Sequence, residues 1–483
     1  MSSETSTTVR ADAGTMKITY SGGANIDLAG IYPKDDVWAT KTITVTGNNT
    51  TDAEMYYKLT LVVDSNTFKA DDPLQYELVS TNTSTNGEII PNISKTDITG
   101  TSIELGSGHF VKANNAKHTY LLKIYYPKKT TSQNANQGAA FSAHVEITSA
   151  KAPTVSTLAQ TILAKNEVKA PITTPGAAIS TASEALLAST EDDYGTSYYF
   201  RGAVKNNYVE FANKCWRIVR VGGDGSVKLI LHNDNTAGAV NPCDAANNSA
   251  SAAFARYSGT TYKSAFNTNY NDNAYVGFKF GTPRSSTYAA THANTNKSTI
   301  LTNLETWYTN NLKTYADAIA DTVWCNDKTN VTDTSYDPWS ITPNGRGYAK
   351  NATYYGATQR LVSKSNSAGG TGPSLKCNGD LSKITSKVGL ITADELALAG
   401  YAVGLENTTT YLQENATDYY WWSLSPYYFD GSYAYGWSVG GSIGEFSTGG
   451  VVSTNGLRPS ISLKSTTNVT GDGTSSSPFV VKI

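Results

Sequence analysis

The chain has 483 residues and a formal net charge of -2, and this length exceeds what one hydrophobic core usually organises, so we expect about two or three domains. Charged residues make up only 16%, while Tyr contributes 31 residues and Gly 40, as is typical of extracellular β-rich proteins. The sequence has no stripe of Lys and Arg that would bind a phosphate backbone, so we expect no nucleic-acid partner. It also has no apolar run of about 18 residues, so we expect no membrane-spanning segment.

Residues 1–149 carry the pattern of an antiparallel β-sandwich. Short runs in which apolar and polar residues alternate recur there, and β-branched and aromatic residues dominate them. The clearest runs are Met16–Ser21, Thr42–Gly47, Met55–Val63, Tyr120–Tyr126 and Phe141–Thr148. Turn-forming clusters of Asn, Thr and Gly separate these runs, and about seven such strands would form a two-sheet sandwich.

Residues 150–191 differ in composition, because Ala, Ser, Thr, Pro and Lys prevail. One helical pattern occurs there, in which Val155, Leu158 and Ile162 share a face. Prolines on both sides of this pattern favour extended chain. We therefore predict an interdomain linker that carries one short helix.

Residues 192–483 combine short strands with two helical patterns. The first strand-like runs are Tyr208–Phe211, Trp216–Val221 and Val227–Leu231. The helical patterns cover residues 297–320 and 392–403, and Thr392 is suited to cap the second. Short β segments rich in aromatic residues and Gly return after residue 418. Helices set among short strands predict an α+β domain.

Four widely spaced cysteines, all beyond residue 200, indicate two disulfide bonds in an oxidising compartment. Three pairings are possible, and we favour the sequential one, which joins Cys215 to Cys243 and Cys325 to Cys377. Each bond would restrict the unfolded chain by roughly 3.5 to 4 kcal/mol on the chain-entropy model. The alternative is four buried free thiols in a cytosolic protein.

A series of motifs in the second half of the chain resembles one known fold. The motifs are DDYGTSYYFRGAVKNNYVEFANKCWRIVRVGGDGSVKLI from Asp192, VWCND, GLITADELALAG, YYWWSLSPYYFDGSYAYGWSVGGS and NGLRPSISLK. In this order they resemble the C-type-lectin-like fold of the branch that contains formylglycine-generating enzymes and retroelement variable proteins. The form is that found on secreted proteins of Gram-positive gut bacteria, and the resemblance covers more than half of the chain.

This resemblance implies a ligand-binding face near the C-terminus. In the lectin-like fold the last strands form a small sheet, one face of which closes the core while the other displays side chains to ligand. The positions that correspond to the core are Trp422, Trp437, Val439 and Leu457. Arg458 and Pro459 correspond to the motif that locks the last strand. The displayed positions are Tyr427, Tyr428, Asp430, Tyr433, Tyr435, Ser438, Gly440 and Glu445.

In the variable-protein relatives, mutagenic retrohoming diversifies such displayed positions. Tyrosine suits them because it offers large rigid area and a polar tip while losing few side-chain torsions on binding. The competing interpretation is that the Tyr-rich strand only packs against its neighbours.

Residues 16–148 resemble the camelysin or biofilm-fibre type of β-sandwich, on their alternation and on the phrase YYKLTLVVDSNTF. Exported proteins of that type carry an N-terminal signal or anchor. The residues after Met1 are almost wholly polar, so we expect the export segment to lie outside this sequence.

Catalysis has little support in this sequence. The histidines show no HxH or HExxH spacing, and they are His109, His118, His144, His232 and His292. The formylglycine-generating relatives use a cysteine pair near the C-terminal core, whereas the last cysteine here, Cys377, precedes GLITADE. We therefore expect no enzyme activity and no catalytic residue.

No cofactor is expected, although calcium is a candidate. The acidic residues in loops and turns that would bind it are Glu191, Asp192, Asp193, Asp234 and Asp472. No EF-hand pattern is present, so solvated loop acids are the favoured interpretation and we predict no metal site.

The function that we predict is a secreted or cell-surface, adhesin-like binding protein whose Tyr-rich face meets a protein or glycan on another cell or host surface. Such a protein could be the variable protein of a diversity-generating retroelement. One alternative is a structural subunit of an extracellular fibre or pilus-like assembly. A second alternative is an oxidase of the formylglycine-generating type that depends on Cys325 or Cys377.

Overall fold

The computed structural model describes residues 5–11, 14–50, 54–82, 86–149 and 156–482. Strand accounts for 40% and helix for 12% of the chain, so the fold is mostly β. The chain divides into two units, Met1–Val155 and Ser156–Ile483.

The strands of the first unit form two sheets among the residues described there. The strands are β1 (Thr5–Ala11), β2 (Gly14–Ser21), β3 (Ile26–Ala29), β4 (Lys34–Asn49), β5 (Met55–Asn66), β6 (Gln75–Ser80), β7 (Ile93–Asp97), β8 (Ser102–Phe110), β9 (Ala113–Tyr126) and β10 (Ala140–Ser149). One sheet has the order β1-β2-β4-β9-β6-β7 and the other the order β3-β10-β5-β8. All of these neighbours pair antiparallel.

The core of the first unit follows from the alternating pattern of its strands. Every second residue of β5 is buried from Met55 to Val63, while the residues between them are half-buried. Tyr57 is fully buried, and its hydroxyl group lies 2.6 Å from Nδ1 of His118. Buried residues of both sheets contribute to this one core, as two packed antiparallel sheets require.

The strands of the second unit form two larger sheets and two small ribbons in the part that the structure describes. The strands are β11 (Ala185–Asp192), β12 (Gly195–Gly202), β13 (Tyr208–Phe211), β14 (Lys214–Val221), β15 (Val227–Asn233), β16 (Lys263–Ala265), β17 (Lys279–Phe280), β18 (Asn296–Lys297), β19 (Thr322–Cys325), β20 (Thr353–Tyr354), β21 (Lys383–Ser386), β22 (Trp421–Phe429), β23 (Ala434–Val439), β24 (Phe446–Gly450), β25 (Thr454–Gly456), β26 (Ser460–Leu463), β27 (Asn468–Thr470) and β28 (Phe479–Lys482). The first sheet runs β11-β12-β14-β13-β28-β27, with β15 joining β14 to β26. The second sheet runs β16-β25-β22-β23-β24, with β20 beside β22.

The helices of the second unit are short. They are α1 (Leu158–Lys165), α2 (Tyr288–His292), α3 (Thr299–Asn311), α4 (Gly356–Leu361) and α5 (Ala393–Ala399). The predicted helical pattern at 297–320 is an α-helix only as far as Asn311, and a short 3-10 turn, Lys313–Tyr315, follows it. The predicted cap Thr392 is confirmed, because its side chain accepts a hydrogen bond from the backbone N–H of Glu395.

The second unit begins at Ser156, inside the segment 150–191 that the sequence predicts to be a linker. Leu158 and Ile162 of α1 are buried in the core of the second unit. Strand β11 falls almost wholly inside the predicted linker and pairs with β12 over its full length. The described part of that stretch, from residue 156, therefore belongs to the second unit, because burial and strand pairing hold it there.

The positions that the resemblance assigned to the core are buried. Trp422, Trp437, Val439 and Leu457 are each at most 1% exposed. Arg458 is 1% exposed and donates from Nε to the carbonyl oxygen of Leu231 at 3.0 Å. Its guanidinium group also binds the carbonyl oxygen of Leu412, so one buried cation ties β15 to a loop and to the chain before β26.

Both predicted disulfide bonds are present, in the sequential pairing. Cys215 of β14 is bonded to Cys243 in the loop after β15, and Cys325 of β19 is bonded to Cys377 in the loop before β21. Both bonds lie in the second unit. Two disulfides are consistent with an extracellular location.

Candidate functional site

The predicted ligand face lies on the antiparallel hairpin of β22 and β23. In this hairpin Tyr428 pairs with Tyr435 and Phe429 pairs with Ala434. A β-bulge at Pro426 interrupts the register between Trp422 and Tyr428, so side-chain direction does not simply alternate along β22. The two strands join through the turn that contains Asp430 and Tyr433.

The eight predicted face residues differ in accessibility. Tyr433 is 42% exposed, while Tyr428, Asp430, Tyr435 and Glu445 are half-buried. The remaining residues, Tyr427, Ser438 and Gly440, are buried.

The prediction was therefore wrong for the displayed position of Tyr427, Ser438 and Gly440. The ring of Tyr427 lies 4.5 Å from that of Trp437 and 4.9 Å from that of Trp339, so other aromatic rings cover it. Residues 436–439 are consecutively buried because β23 is a central strand between β22 and β24 and both of its faces are covered. Burial raises the pKa of Tyr427 far above its ordinary value, so its hydroxyl group stays neutral.

Five partly exposed aromatic residues at the turn end of the hairpin form two stacked groups, which together we call the aromatic platform. They are Tyr270, Trp339, Tyr428, Tyr433 and Tyr435. Tyr433 stacks on Tyr270 with ring centroids 4.3 Å apart and an interplanar angle of 12°. Tyr428 stacks on Tyr435 at 4.6 Å and on Trp339 at 6.0 Å. The rings therefore hold one another in place before any ligand binds.

Asp430 supplies the negative charge of this platform and also shapes its turn. Its Oδ1 atom accepts hydrogen bonds from the backbone N–H groups of Ser432 and Tyr433, both at 2.7 Å. Burial, and then the charge of Asp430, raise the pKa of Tyr435. A hydrogen bond with Tyr270 raises the pKa of Tyr433. The hydroxyl groups of Tyr433 and Tyr435 therefore remain neutral donors and acceptors at physiological pH.

Sequence reasoning missed Tyr270 and Trp339. Tyr270 lies in the loop after β16 and Trp339 lies in the loop before β20, so both are far in sequence from the hairpin. The available signal was weak, because each lies in a segment without a helix or strand pattern, NTNYNDN or YDPWSIT.

Gly440 and Glu445 lie at the other end of β23 from the platform. The backbone N–H of Gly440 donates to the carbonyl oxygen of Glu445 at 2.8 Å. A Cβ atom at Gly440 would lie 3.4 Å from the ring of Tyr420. The six residues of β23 separate the two groups by about 20 Å, so the predicted residues do not form one contiguous face.

The Cys325–Cys377 disulfide borders a small cavity of about 40 Å³ lined by ion pairs. Arg360 binds Asp394 through Nε at 2.6 Å and Asp327 through Nη1 at 2.7 Å. These charges are paired with one another. Both cysteines named for the oxidase alternative are in the oxidised, bonded form here.

The acidic residues named for calcium each have a protein partner. Asp192 binds Arg220 at 2.9 Å, Asp234 binds Lys214 at 2.8 Å, and Asp472 binds Lys165. Glu191 accepts a hydrogen bond from Thr196, and Asp193 accepts one from the backbone N–H of Cys377. Within the described ranges, no three His, Cys, Asp or Glu side chains gather as a group that could hold a metal ion.

No protein-family model matches this sequence, and no curated protein matches it. Among the helices that the structure describes, none has the length and apolar character needed to cross a membrane.

Proposed function

We propose that this protein is a secreted or cell-surface binding protein, adhesin-like, whose aromatic platform contacts a protein or glycan on another cell or host surface. The observation that carries the proposal is the platform itself, in which Tyr433 is 42% exposed and stacked beside half-buried rings. The two disulfide bonds of the second unit support an extracellular role. The lectin-like fold and the retroelement variable protein remain part of this proposal, and they rest on the sequence motifs.

The platform suits recognition because its side chains are ordered in advance. Stacking between Tyr428 and Tyr435, and between Tyr433 and Tyr270, restricts these rings in the free protein. A ligand therefore gains contact area with little further loss of side-chain entropy. Aromatic faces stack on sugar rings or on apolar side chains, while neutral hydroxyl groups and Asp430 provide hydrogen bonds at the edge of the patch.

The test is a glycan and surface-protein array probed with the wild-type chain and with a Tyr433→Ala/Tyr435→Ala variant. If the platform binds, the double variant should lose at least roughly tenfold in affinity, the loss typical of central aromatic contacts. The matched control is Tyr194→Ala, because Tyr194 is 59% exposed in the β11–β12 turn and lies outside the platform. Equal binding by wild type and the double variant would overturn the assignment of the site.

The fibre alternative makes a different prediction about the same purified protein. Long polymers seen by negative-stain microscopy and size exclusion would favour it over a binding module. Discrete particles that bind an array ligand through Tyr433 and Tyr435 would favour the proposal made here.

A further inference from the structure

A second cavity in the second unit lies at the end of β23 opposite to the aromatic platform. Its volume is about 500 Å³, which is within the range of small-molecule sites in proteins. Ser442, which follows β23, lines the cavity, and the neighbouring Gln413 donates from Nε2 to the carbonyl oxygen of Gly440 at 3.1 Å. Tyr433 precedes β23, so the length of that strand separates the cavity from the platform.

Eight of the fourteen residues that line this cavity carry hydroxyl groups. Six of them are Thr408, Thr409, Thr410, Thr417, Ser442 and Ser475. Behind them lie Tyr208 and Tyr411, which are only 6% and 3% exposed. The hydroxyl group of Tyr411 is buried and has no hydrogen-bond partner among the described residues. The exposed Thr and Ser hydroxyl groups offer donors and acceptors to a hydroxylated ligand.

One carboxylate is fixed at the rim of the cavity. Glu414 is 42% exposed in its side chain, and its Oε2 atom accepts from Nη1 of the fully buried Arg217 at 3.0 Å. The same oxygen accepts from the hydroxyl group of Tyr208 at 3.0 Å, and Oε1 accepts from Nδ2 of Asn248 at 3.0 Å. A carboxylate has about four acceptor positions, so these three bonds leave Glu414 with capacity for a ligand hydroxyl group.

Arg217 holds both the carboxylate and the aromatic wall. Its guanidinium carbon lies 3.8 Å from the ring centroid of Tyr208 and 5.3 Å from that of Tyr411. It also donates from Nη2 to the carbonyl oxygen of Val204 at 2.5 Å. The guanidinium group of Arg217 thus contacts both tyrosine rings and the carboxylate of Glu414, and these contacts make the floor of the site rigid.

The charge of the cavity favours an uncharged ligand. Glu414 and Lys205 are the ionisable Asp, Glu, Lys or Arg residues that line it, and Arg217 behind the wall is paired with Glu414. Burial, followed by the charge of Arg217, lowers the pKa of the nearby His232 well below its ordinary value, so His232 adds no positive charge. An anionic ligand would meet Glu414, and a cationic ligand would meet Lys205.

We infer that this cavity is a second binding site, separate from the aromatic platform, and that it binds one neutral saccharide residue. Glu414 accepts from the hydroxyl groups of the sugar, and the exposed side chains of Thr408, Thr409, Thr417 and Ser442 complete the hydrogen bonding at the wall. Because this site does not use the platform, its failure and that of the proposed function can be told apart.

The inference is tested by saturation-transfer NMR and calorimetry on the full chain with glucose, galactose, mannose and N-acetylglucosamine, and with glucose 6-phosphate as the charged probe. At least one neutral sugar should bind, and glucose 6-phosphate should bind more weakly than glucose if glucose is that sugar. Glu414→Gln should raise the Kd by about tenfold or more, the loss expected for a hydrogen bond to a charged acceptor. No binding by any neutral sugar at millimolar concentration would overturn the inference.

A second variant keeps the test decisive if Glu414→Gln folds poorly. Ser442 is exposed in a turn, so Ser442→Trp should fill the cavity mouth without disturbing the core. The matched control is Ser432→Trp, which adds the same ring at an exposed turn position at the other end of β23. Sugar binding should be abolished by Ser442→Trp and retained by Ser432→Trp, and retention in Ser442→Trp would refute the site.

Discussion

Replacement of Glu395 by Gln tests how strongly buried charges stabilise the second unit. The side chain of Glu395 is 2% exposed, and its Oε1 atom binds Nζ of Lys228 at 2.6 Å and Nε of Arg220 at 2.9 Å. Its Oε2 atom accepts from the backbone N–H of Thr392 at 2.9 Å. The Gln side chain keeps an oxygen for that cap, so Glu395→Gln removes the negative charge while leaving two buried cations in place.

The magnitude follows from the pKa of Glu395. Desolvation by burial acts to raise this pKa, but the charges of Lys228 and Arg220 outweigh it and lower the pKa from 4.5 to about 2. This difference corresponds to roughly 3 kcal/mol of folding stability at neutral pH. A group whose pKa is lower in the folded state contributes fully above its unfolded pKa. The contribution should therefore be present above pH 4.5 and be lost as the pH falls towards 2.

The assay is urea unfolding of the full chain, followed by tryptophan fluorescence between neutral pH and the acid range. Of the 8 tryptophans, only Trp38 precedes residue 156, so the signal reports mainly on the second unit. We expect Glu395→Gln to lower the free energy of unfolding by about 3 kcal/mol at neutral pH. The variant should also lose part of the acid-dependent decline that the wild type shows.

The matched control for Glu395→Gln is Glu305→Gln, the same substitution in an exposed ion pair. Glu305 binds Lys297 at 2.6 Å, with side chains 36% and 52% exposed, and such pairs contribute up to about 1 kcal/mol. If both variants lost the same stability, or if Glu395→Gln kept the full acid dependence, the reasoning from burial would be refuted.

Cys325→Ser/Cys377→Ser should lower the free energy of unfolding of the second unit by about 4 kcal/mol, from the 52-residue separation of the two cysteines. Urea unfolding checks this value, and no loss would show that the bond does not constrain the unfolded chain. A Cβ atom at Gly449 would lie 2.9 Å from the ring of Trp422, whereas the nearest described atom to one at Gly450 lies 3.9 Å away. Gly449→Ala should therefore destabilise by about 1 to 3 kcal/mol and Gly450→Ala should be nearly neutral, as measured by thermal unfolding; equal losses would contradict this packing argument.

Local signals in the sequence predicted the elements that depend on neighbouring residues. Strand β13 spans Tyr208–Phe211 as predicted, because its apolar pattern is short and bounded by polar turns. Thr392 and Glu395 form the capping box of α5, which two residues three positions apart suffice to specify. The sequential disulfide pairing was also predicted from the sequence and is present, although the cysteine count alone allowed two other pairings.

Non-local contacts account for what the sequence could not predict. Trp339 joins the platform through ring contacts with Tyr427 and Tyr428. These residues are far apart in the sequence, so no short-range pattern predicts the contact. The bulge at Pro426 changes the direction of neighbouring side chains, so the exposed positions of β22 could not be counted from spacing. The residues that line the cavity beside Glu414 come from segments far apart in the chain. No short sequence motif could therefore predict this cavity.

The buried rings of Tyr427 and Trp437 pack against one another beside the half-buried ring of Tyr428, and this layering has an evolutionary consequence. Hydrophobic burial is concentrated in the rear layer and Asp430 holds the turn, so substitutions at the exposed Ser432 and Tyr433 change the surface that meets the solvent and leave the folded support intact. Descendants of this sequence could explore new binding preferences at Ser432 and Tyr433 while inheriting an unchanged support beneath them.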